Sequence, residues 1–169
     1  MEQLHKIPFD YLKRSFYYYF KSKEEFGKTI LEYYNHFFTE KPKQHLSNEN
    51  ISSALERIHA FCTEAKTNMA KYNFNRGCLV GKLMQNESHL PPDYPSLLNN
   101  ILHHWQNQIA NCLQQAQQQH EINPQLDCAK LANFFWLGWK GAVSHAKLIK
   151  NSAPLDTFTE QIFSLIKPS

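Results

Sequence analysis

Apolar residues recur every three or four positions along most of this chain, which is the spacing of one face of an α-helix. The longest run keeps this spacing from Tyr94 to Ala116. No stretch shows the apolar–polar alternation of a β-strand. Only 5 glycines are available for the many tight turns that an all-β chain needs. We therefore expect an all-α fold with about six or seven helices.

Local start and stop signals divide this pattern into separate helices. Ser22 and Glu25 form a capping box, so a helix should begin there and end near Lys41-Pro42, before a polar loop over residues 42–50. A later helix is apolar around most of its circumference at Phe134–Trp139, so we expect it to be buried on more than one side. The other predicted helical segments are Ile51–Met69, Cys78–Met84, Tyr94–Ala116, one opened by Asn123 and Pro124, and a last one after Pro154.

Composition and charge exclude several classes of protein. The hydrophobic fraction of 42% and the length of 169 residues suffice for one packed core without disulfides or metal. The net charge of +3 is too balanced to indicate nucleic-acid binding by itself. No apolar run approaches the roughly 18 residues of a membrane span, and the first residues lack the apolar stretch of a signal peptide. We expect a cytoplasmic protein without a membrane partner.

The chain has four cysteines, and no two of them form a C-x-x-C pair. A disulfide framework is not expected in a cytoplasmic chain of this size. Cys62, Cys112 and Cys128 fall on or beside apolar helix faces, which predicts buried, unreactive thiols. Cys78 follows Arg76-Gly77 at the predicted start of a short helix, where a cation and the helix N-terminus both favour the thiolate. Cys78 is therefore the candidate reactive thiol, and the alternative is a fourth structural one.

Aromatic residues on two predicted helices suggest a second kind of site. Trp105, Trp136 and Trp139, with Phe74 and Phe135, fit an apolar ligand pocket between helices, and His104 could donate a hydrogen bond inside it. The three tryptophans also fit a plain aromatic core, and that alternative stays open. No spacing of histidine and cysteine completes a metal site, and no phosphate-binding or catalytic glycine motif occurs. We expect no metal, no cofactor and no enzymatic activity.

Two separated stretches of the sequence carry motifs of a known family. The segment Ser15–Gly27 has the order Ser-Phe-Tyr-x-Tyr-Phe followed by Lys-Ser-Lys-Glu, and it resembles the end of the helix-turn-helix of TetR-type transcriptional repressors. The segment Asn75–Leu83, with Phe135–Trp139, Ala146-Lys147 and Ala153–Leu155, resembles a branch that senses reactive electrophiles and acrylate-like compounds. The resemblance implies a TetR-like helical bundle and a homodimeric repressor. Such a repressor leaves its operator DNA when a small ligand or an electrophile acts on it.

The resemblance also implies a division of the chain. Residues 1–22 correspond to a remnant of the helix-turn-helix domain, and residues 23–169 to a helical ligand-sensing and dimerisation domain. Family members carry two helices before the recognition helix, whereas only Met1–Leu12 precede the matching segment here. The chain therefore resembles a member without the first two helices of its DNA-binding domain. Two alternatives stay open: a dimerising sensor domain that does not bind DNA specifically, and a plain helical binding module with inert thiols.

The implied dimer contact uses the last two predicted helices. Residues 125–150 and 155–167 would pair with their copies in a second chain. Trp139 and the small residues Gly138 and Gly141 are placed in this contact, because small residues let helices approach closely.

The remaining candidate contacts combine the resemblance with side-chain chemistry. Lys147 is the implied partner of Cys78, approaching from the later helix. The candidate DNA contacts are basic and hydroxyl side chains, which suit phosphate oxygens and base edges. They are Lys13, Arg14, Ser15, Tyr17, Tyr18, Tyr19, Lys21 and Lys23.

Overall fold

The computed structural model describes residues 16–168, apart from the side chains of residues 37–39, 41 and 42. This part of the chain is helical, with one 3₁₀ turn at Glu87–His89, one helical turn at residues 16–19 and no β-strand, so the predicted all-α fold is confirmed for it. None of the helices in that range has both the length and the hydropathy needed to cross a membrane. The helices are α1 (Lys23–Leu46), α2 (Ala54–Lys71), α3 (Leu79–Met84), α4 (Tyr94–Gln118), α5 (Cys128–Ile149) and α6 (Ala153–Leu165).

The described residues belong to two structural units, the first ending at residue 37 and the second beginning at residue 38. In the first unit the ring centroid of Phe26 lies 5.3 Å from that of Phe16 and 4.8 Å from that of Phe20. The predicted capping box opens α1. The Glu25 amide donates to Ser22 Oγ at 3.1 Å, and the amide before Ser22 donates to the Glu25 carboxylate at 2.7 Å. The predicted start of this helix is confirmed.

The end of α1 differs from the sequence prediction. The expected end near Lys41-Pro42 is wrong, because the helix continues to Leu46. Proline has no amide hydrogen, so one backbone hydrogen bond is missing at that position. The last turn makes contacts that outweigh this loss: the Leu46 side chain is buried, and the Leu46 carbonyl accepts a hydrogen bond from Arg57 Nη1 at 3.2 Å. Contacts with a distant helix are not visible in the local sequence.

The start of α5 also differs from the prediction, because Asn123-Pro124 does not open the helix. Asn123 Oδ1 accepts a hydrogen bond from the Gln125 amide at 2.9 Å and forms a local turn. The cap is Asp127, whose Oδ1 accepts from the amides of Ala129 and Lys130 at 3.1 and 3.0 Å. Hydrogen bonds to its carboxylate hold the pKa of Asp127 below its usual range, and the one from the Lys130 amide contributes most. A carboxylate that accepts two helix amides caps a helix more strongly than a neutral side chain does.

The core of the second unit is a layer of aromatic rings between four helices. Trp105 of α4 packs on Trp136 of α5 with ring centroids 5.0 Å apart. One turn later in α5, Trp139 lies 5.9 Å from Phe61 of α2 and 5.8 Å from Phe158 of α6, measured between ring centroids. Side chains of α2, α4 and α6 therefore all pack on α5.

One face of α5 lies outside this core. Phe134 and Leu137 are 52% and 60% exposed, and Leu148 is 79% exposed. Gly141 lies on the same helical face and has open space where a side chain would begin. Within a single chain, α5 is therefore covered where α2, α4 and α6 pack on it and open on this face.

Gly138 and Trp139 face the interior and do not lie on this exposed face. A Cβ atom on Gly138 would lie 2.8 Å from Cδ2 of Phe158, and Trp139 is 4% exposed and packs on the same ring. The predicted placement in a dimer contact is wrong for these two residues, because the helical period turns them toward α6. Of the three residues predicted there, Gly141 is on the open side.

The contact at Gly138 can be tested with one methyl group. Alanine in a helix is normally more stable than glycine by about 1 kcal/mol. At Gly138 the new Cβ would overlap the Phe158 ring, so Gly138→Ala should lower the free energy of unfolding by about 1–3 kcal/mol. The control is Gly81→Ala, whose Cβ would make ordinary contacts, with Cys78 at 3.7 Å as the nearest, and which should not lower stability. Urea unfolding at one chain concentration measures both variants, and equal effects would contradict the contact.

Candidate functional site

Cys78 lies at the amino end of α3 and caps it. Its backbone is extended, with φ of −80° and ψ of 116°, and its Sγ accepts a hydrogen bond from the Gly81 amide at 3.3 Å. The residue is partly exposed, unlike the other three cysteines. The thiolate is the nucleophilic form of cysteine, and a thiol must be accessible to react. The predicted position at a helix start is confirmed, and a functional role for the thiol stays a prediction.

Lys140 of α5 approaches the Cys78 sulfur. A Cβ on Gly81 would lie 3.7 Å from Cys78 Sγ and 3.9 Å from Lys140 Cδ, so both side chains come close to that point. Lys140 Nζ also lies 3.7 Å from Met84 Sδ. Burial lowers the pKa of Lys140, and the nearby Cys78 acts in the opposite direction. A lysine ammonium close to a cysteine sulfur is one of the surroundings typical of reactive thiols.

Lys147 and Lys150 continue the same side of α5 toward the start of the segment 74–84. Lys147 Cδ lies 3.3 Å from the position that a Cβ on Gly77 would take, and Lys150 Nζ donates to Asn75 Oδ1 at 2.7 Å. Among the described residues, neither these two lysines nor Lys140 forms a salt bridge with a carboxylate. The sequence pointed to Lys147 and missed Lys140, although a spacing of seven places both on one helix face.

The tryptophans predicted to line a pocket lie in the core. Trp105, Trp136 and Trp139 are 2%, 5% and 4% exposed, whereas His104 is exposed. A small apolar cavity of about 10 Å³, the space of one water molecule, is lined by side chains that include Phe135. The three tryptophans are not among its lining residues. Their placement agrees with the plain-core alternative, and ligand binding by these residues stays a prediction.

Most of the second unit matches a known domain. Residues 54–162 match the family described as "Tetracyclin repressor-like, C-terminal domain". This chain belongs to the TetR family. The resemblance stated from the sequence is therefore confirmed.

The TetR-family relatives are transcriptional regulators by name. The transcriptional regulator AcuR of Cereibacter sphaeroides is 37% identical over 147 residues, which cover 87% of this chain and 67% of that protein. A crystal structure of a regulatory protein TetR from Rhodobacter sphaeroides has a TM-score of 0.88 at 36% identity, covering 91% of this chain and 81% of that one. The reduced form of Escherichia coli NemR has a TM-score of 0.79 at 25% identity, covering 91% and 79%. These similarities confirm the TetR-like all-α fold.

The candidate DNA contacts of this TetR-family chain fall partly within the first unit. Tyr17, Tyr18 and Tyr19 are 46%, 83% and 73% exposed, and Lys21 and Lys23 are exposed. Exposed hydroxyl and ammonium groups are free to reach phosphate oxygens, so DNA contact by these residues stays a prediction. The other candidates, Lys13, Arg14 and Ser15, lie outside the described residues.

The other three cysteines are buried, as the sequence predicts. Burial raises the pKa of Cys62 to about 12 and the pKa of Cys112 to about 11. It also raises the pKa of Cys128. These thiols stay protonated near neutral pH, and protonated thiols are poor nucleophiles. Within residues 16–168, no group of three or more His, Cys, Asp or Glu residues is placed to hold a metal ion.

Cys78 should be the thiol that reacts in the native protein. With iodoacetamide near neutral pH, we expect Cys78 to be alkylated at least about 100-fold faster than Cys62 or Cys112, because their burial suppresses the thiolate. Cys78→Ser should remove the fast phase, whereas Cys112→Ser should leave it intact. Peptide mass spectrometry after timed alkylation identifies each site. Rapid native labelling of Cys62 or Cys112 would show that burial does not set the order of reactivity.

Proposed function

We propose that this TetR-family chain is a transcriptional repressor whose binding to operator DNA is released when a small ligand or a thiol-reactive electrophile acts at Cys78. The observation that carries this proposal is the partly exposed Cys78 thiol, which caps α3 and is approached by Lys140. Free cysteines in protein cores behave as small hydrophobic residues. A sulfur with both an amide donor and a nearby cation instead has the surroundings typical of reactive thiols.

An adduct on Cys78 would disturb the contacts of α3. The sulfur now accepts the Gly81 amide, and a group added to it competes for the space that Lys140 approaches. Because α3 packs on α4, a displacement of α3 reaches the helix that carries Trp105. An effector then lowers operator affinity by the difference between its binding free energies for the two core conformations.

One relative is described by its redox state. NemR of E. coli is named a transcriptional repressor, and its similar solved structure is of the reduced form. Cysteine thiols are side chains that convert reversibly between reduced and oxidised forms. The proposal extends that kind of chemistry to Cys78 of this chain.

We also propose that two copies of the chain pair through the exposed apolar face of α5 and α6. Phe134, Leu137 and Leu148 of α5 and Leu165 of α6 are each more than half exposed in the single chain. Burying apolar area contributes about 25 cal/mol per Å². The dimer contact implied by the resemblance, residues 125–150 and 155–167, contains this face.

The proposed DNA-contacting part is residues 1–22, and the proposed sensing and dimerisation domain is residues 23–169. Tyr18 and Tyr19 are largely exposed, which suits contact with DNA. The same exposed aromatic surface also fits the alternative of a sensor and dimerisation domain without specific DNA binding. The experiment below separates these two functions.

The repressor function can be tested by fluorescence anisotropy with duplex DNA from upstream of the chain's own gene. We expect binding that persists at the higher of two salt concentrations, since contacts limited to phosphates weaken steeply with salt. Treatment with N-ethylmaleimide should weaken binding at least about tenfold. Cys78→Ser should bind DNA but lose this response, and Cys128→Ser, which changes another buried cysteine, should keep it. Weak, salt-labile binding would favour the sensor-only alternative, and an unchanged response in Cys78→Ser would exclude Cys78 as the sensor.

The proposed dimer can be tested by one charge on its apolar face. Leu137→Glu should raise the dimer dissociation constant by about 100-fold or more, because each interface would bury an unpaired carboxylate from both copies. The control is Asn111→Glu, which adds the same charge at an exposed position of α4. Sedimentation velocity over a concentration series measures both variants. A Leu137→Glu protein as dimeric as the control would place the contact elsewhere.

A further inference from the structure

Arg57 is a charged side chain buried in the second unit. It lies on α2 and is 6% exposed. Its Nη1 donates to the Leu46 carbonyl at 3.2 Å and to Gln115 Oε1 at 2.9 Å. Burying a guanidinium is costly, and an apolar side chain of similar volume would avoid that cost. Stability alone therefore does not account for an arginine here.

The two acceptors of Arg57 belong to different helices. Leu46 is the last residue of α1, whereas Gln115 lies near the end of α4. One guanidinium nitrogen on α2 thus connects the ends of α1 and α4, and we name Leu46, Arg57 and Gln115 the Arg57 junction. The positive charge also suits the carboxyl end of α1, where the helix dipole favours a cation.

The last turn of α1 has further contacts with the core. His45 pairs with the Glu64 carboxylate of α2, and the Leu46 side chain is 4% exposed. Pro42 precedes this turn and has no amide hydrogen, and helices bend most readily at proline. The core therefore holds the residues after Pro42, while the helix lacks one backbone hydrogen bond just before them.

The end of α4 is also joined to the start of α2. Gln119 Oε1 accepts a hydrogen bond from the Ala54 amide at 3.0 Å, and Glu121 Oε2 accepts from the Leu55 amide at 2.9 Å. Cys112 Sγ donates to the Ala54 carbonyl at 3.2 Å. A shift at the end of α4 must therefore carry α2 and the last turn of α1 with it, or break these hydrogen bonds.

We propose that Arg57 is a positioning residue that transmits a shift of α4 to the last turn of α1, with Pro42 as the point of bending. α1 is continuous from Leu46 back to Lys23, which is itself a candidate DNA contact. The consequence for DNA rests on the proposed function. The connection between α4 and the last turn of α1 rests on the hydrogen bonds described above and does not depend on the proposed function.

Three variants separate the parts of the junction. Arg57→Gln removes the charge and the bridging donor, whereas Arg57→Lys keeps the charge without the planar fork of donors. Gln115→Ala leaves the contact with Leu46 and removes the hydrogen bond that joins Arg57 directly to α4. The matched control is Lys66→Gln, which removes a 2.8 Å contact between α2 and Asp156 of α6.

Amide hydrogen exchange at residues 44–48 of the full chain measures how stable the last turn of α1 is against local opening. We expect exchange to be about tenfold faster in Arg57→Gln and accelerated less in Arg57→Lys. Gln115→Ala and Lys66→Gln should exchange like the wild type. The proposal would be overturned if these amides exchanged in Arg57→Gln at the same rate as in the wild type. It would also be overturned if Lys66→Gln accelerated their exchange as much as Arg57→Gln does. If Arg57→Gln does not fold, Arg57→Lys takes its place and must exchange faster than the wild type.

The ratio of operator affinities before and after N-ethylmaleimide treatment measures transmission. Gln115→Ala and the folded Arg57 variant should bind DNA but show a smaller ratio than the wild type, for which we expect at least about tenfold. Their rates of Cys78 alkylation should be unchanged. A wild-type ratio in Gln115→Ala would overturn transmission through the junction. Wild-type protein that does not bind DNA would overturn the proposed function instead, and hydrogen exchange would still decide whether Arg57 holds the end of α1.

Discussion

The packing of Trp105 on Trp136 joins α4 to α5, and the rest of the second unit depends on this contact. Each ring buries about 150–250 Å², which at about 25 cal/mol per Å² corresponds to roughly 4–6 kcal/mol. The indole N–H groups of both residues are buried, and neither has a hydrogen-bond partner among the described residues. A hydrogen bond left unmade costs about 1–3 kcal/mol, so the gain from ring burial exceeds the loss.

The aromatic core fixes the orientation of α5, and three sides of this helix therefore face different surroundings. One side carries Trp136 and Trp139 into the aromatic layer, and a second side carries Lys140 to the Cys78 sulfur. A third side exposes Leu137 and the other apolar residues proposed for pairing. A rigid helix divides these roles by angle, because each residue is turned by about 100° around the helix axis from the one before it. The core, the thiol site and the proposed dimer contact are therefore mechanically linked through one element.

Short-range signals made a large part of this structure predictable. The capping box at Ser22, the long apolar stripe of α4 and the short helix after Cys78 all follow from residues within one or two turns of each other. The burial of Cys62 and Cys112 followed from their places on apolar faces. The same local reasoning failed at two boundaries that contain a proline. The end of α1 is set by a hydrogen bond from Arg57 to Leu46, and the start of α5 is set by the cap at Asp127.

The sequence alone determined the helical class, the core faces of most helices and the position of Cys78 at a helix start, because each depends on interactions within a few residues. Tertiary structure decided that Lys140 approaches the Cys78 sulfur, that Gly138 packs against Phe158, and that a buried arginine joins two helix ends. These contacts join residues far apart in the chain, such as Lys140 and Met84, which are 56 positions apart. Helical periodicity specifies which way a side chain faces on its own helix, and only the packing of helices specifies what it meets there.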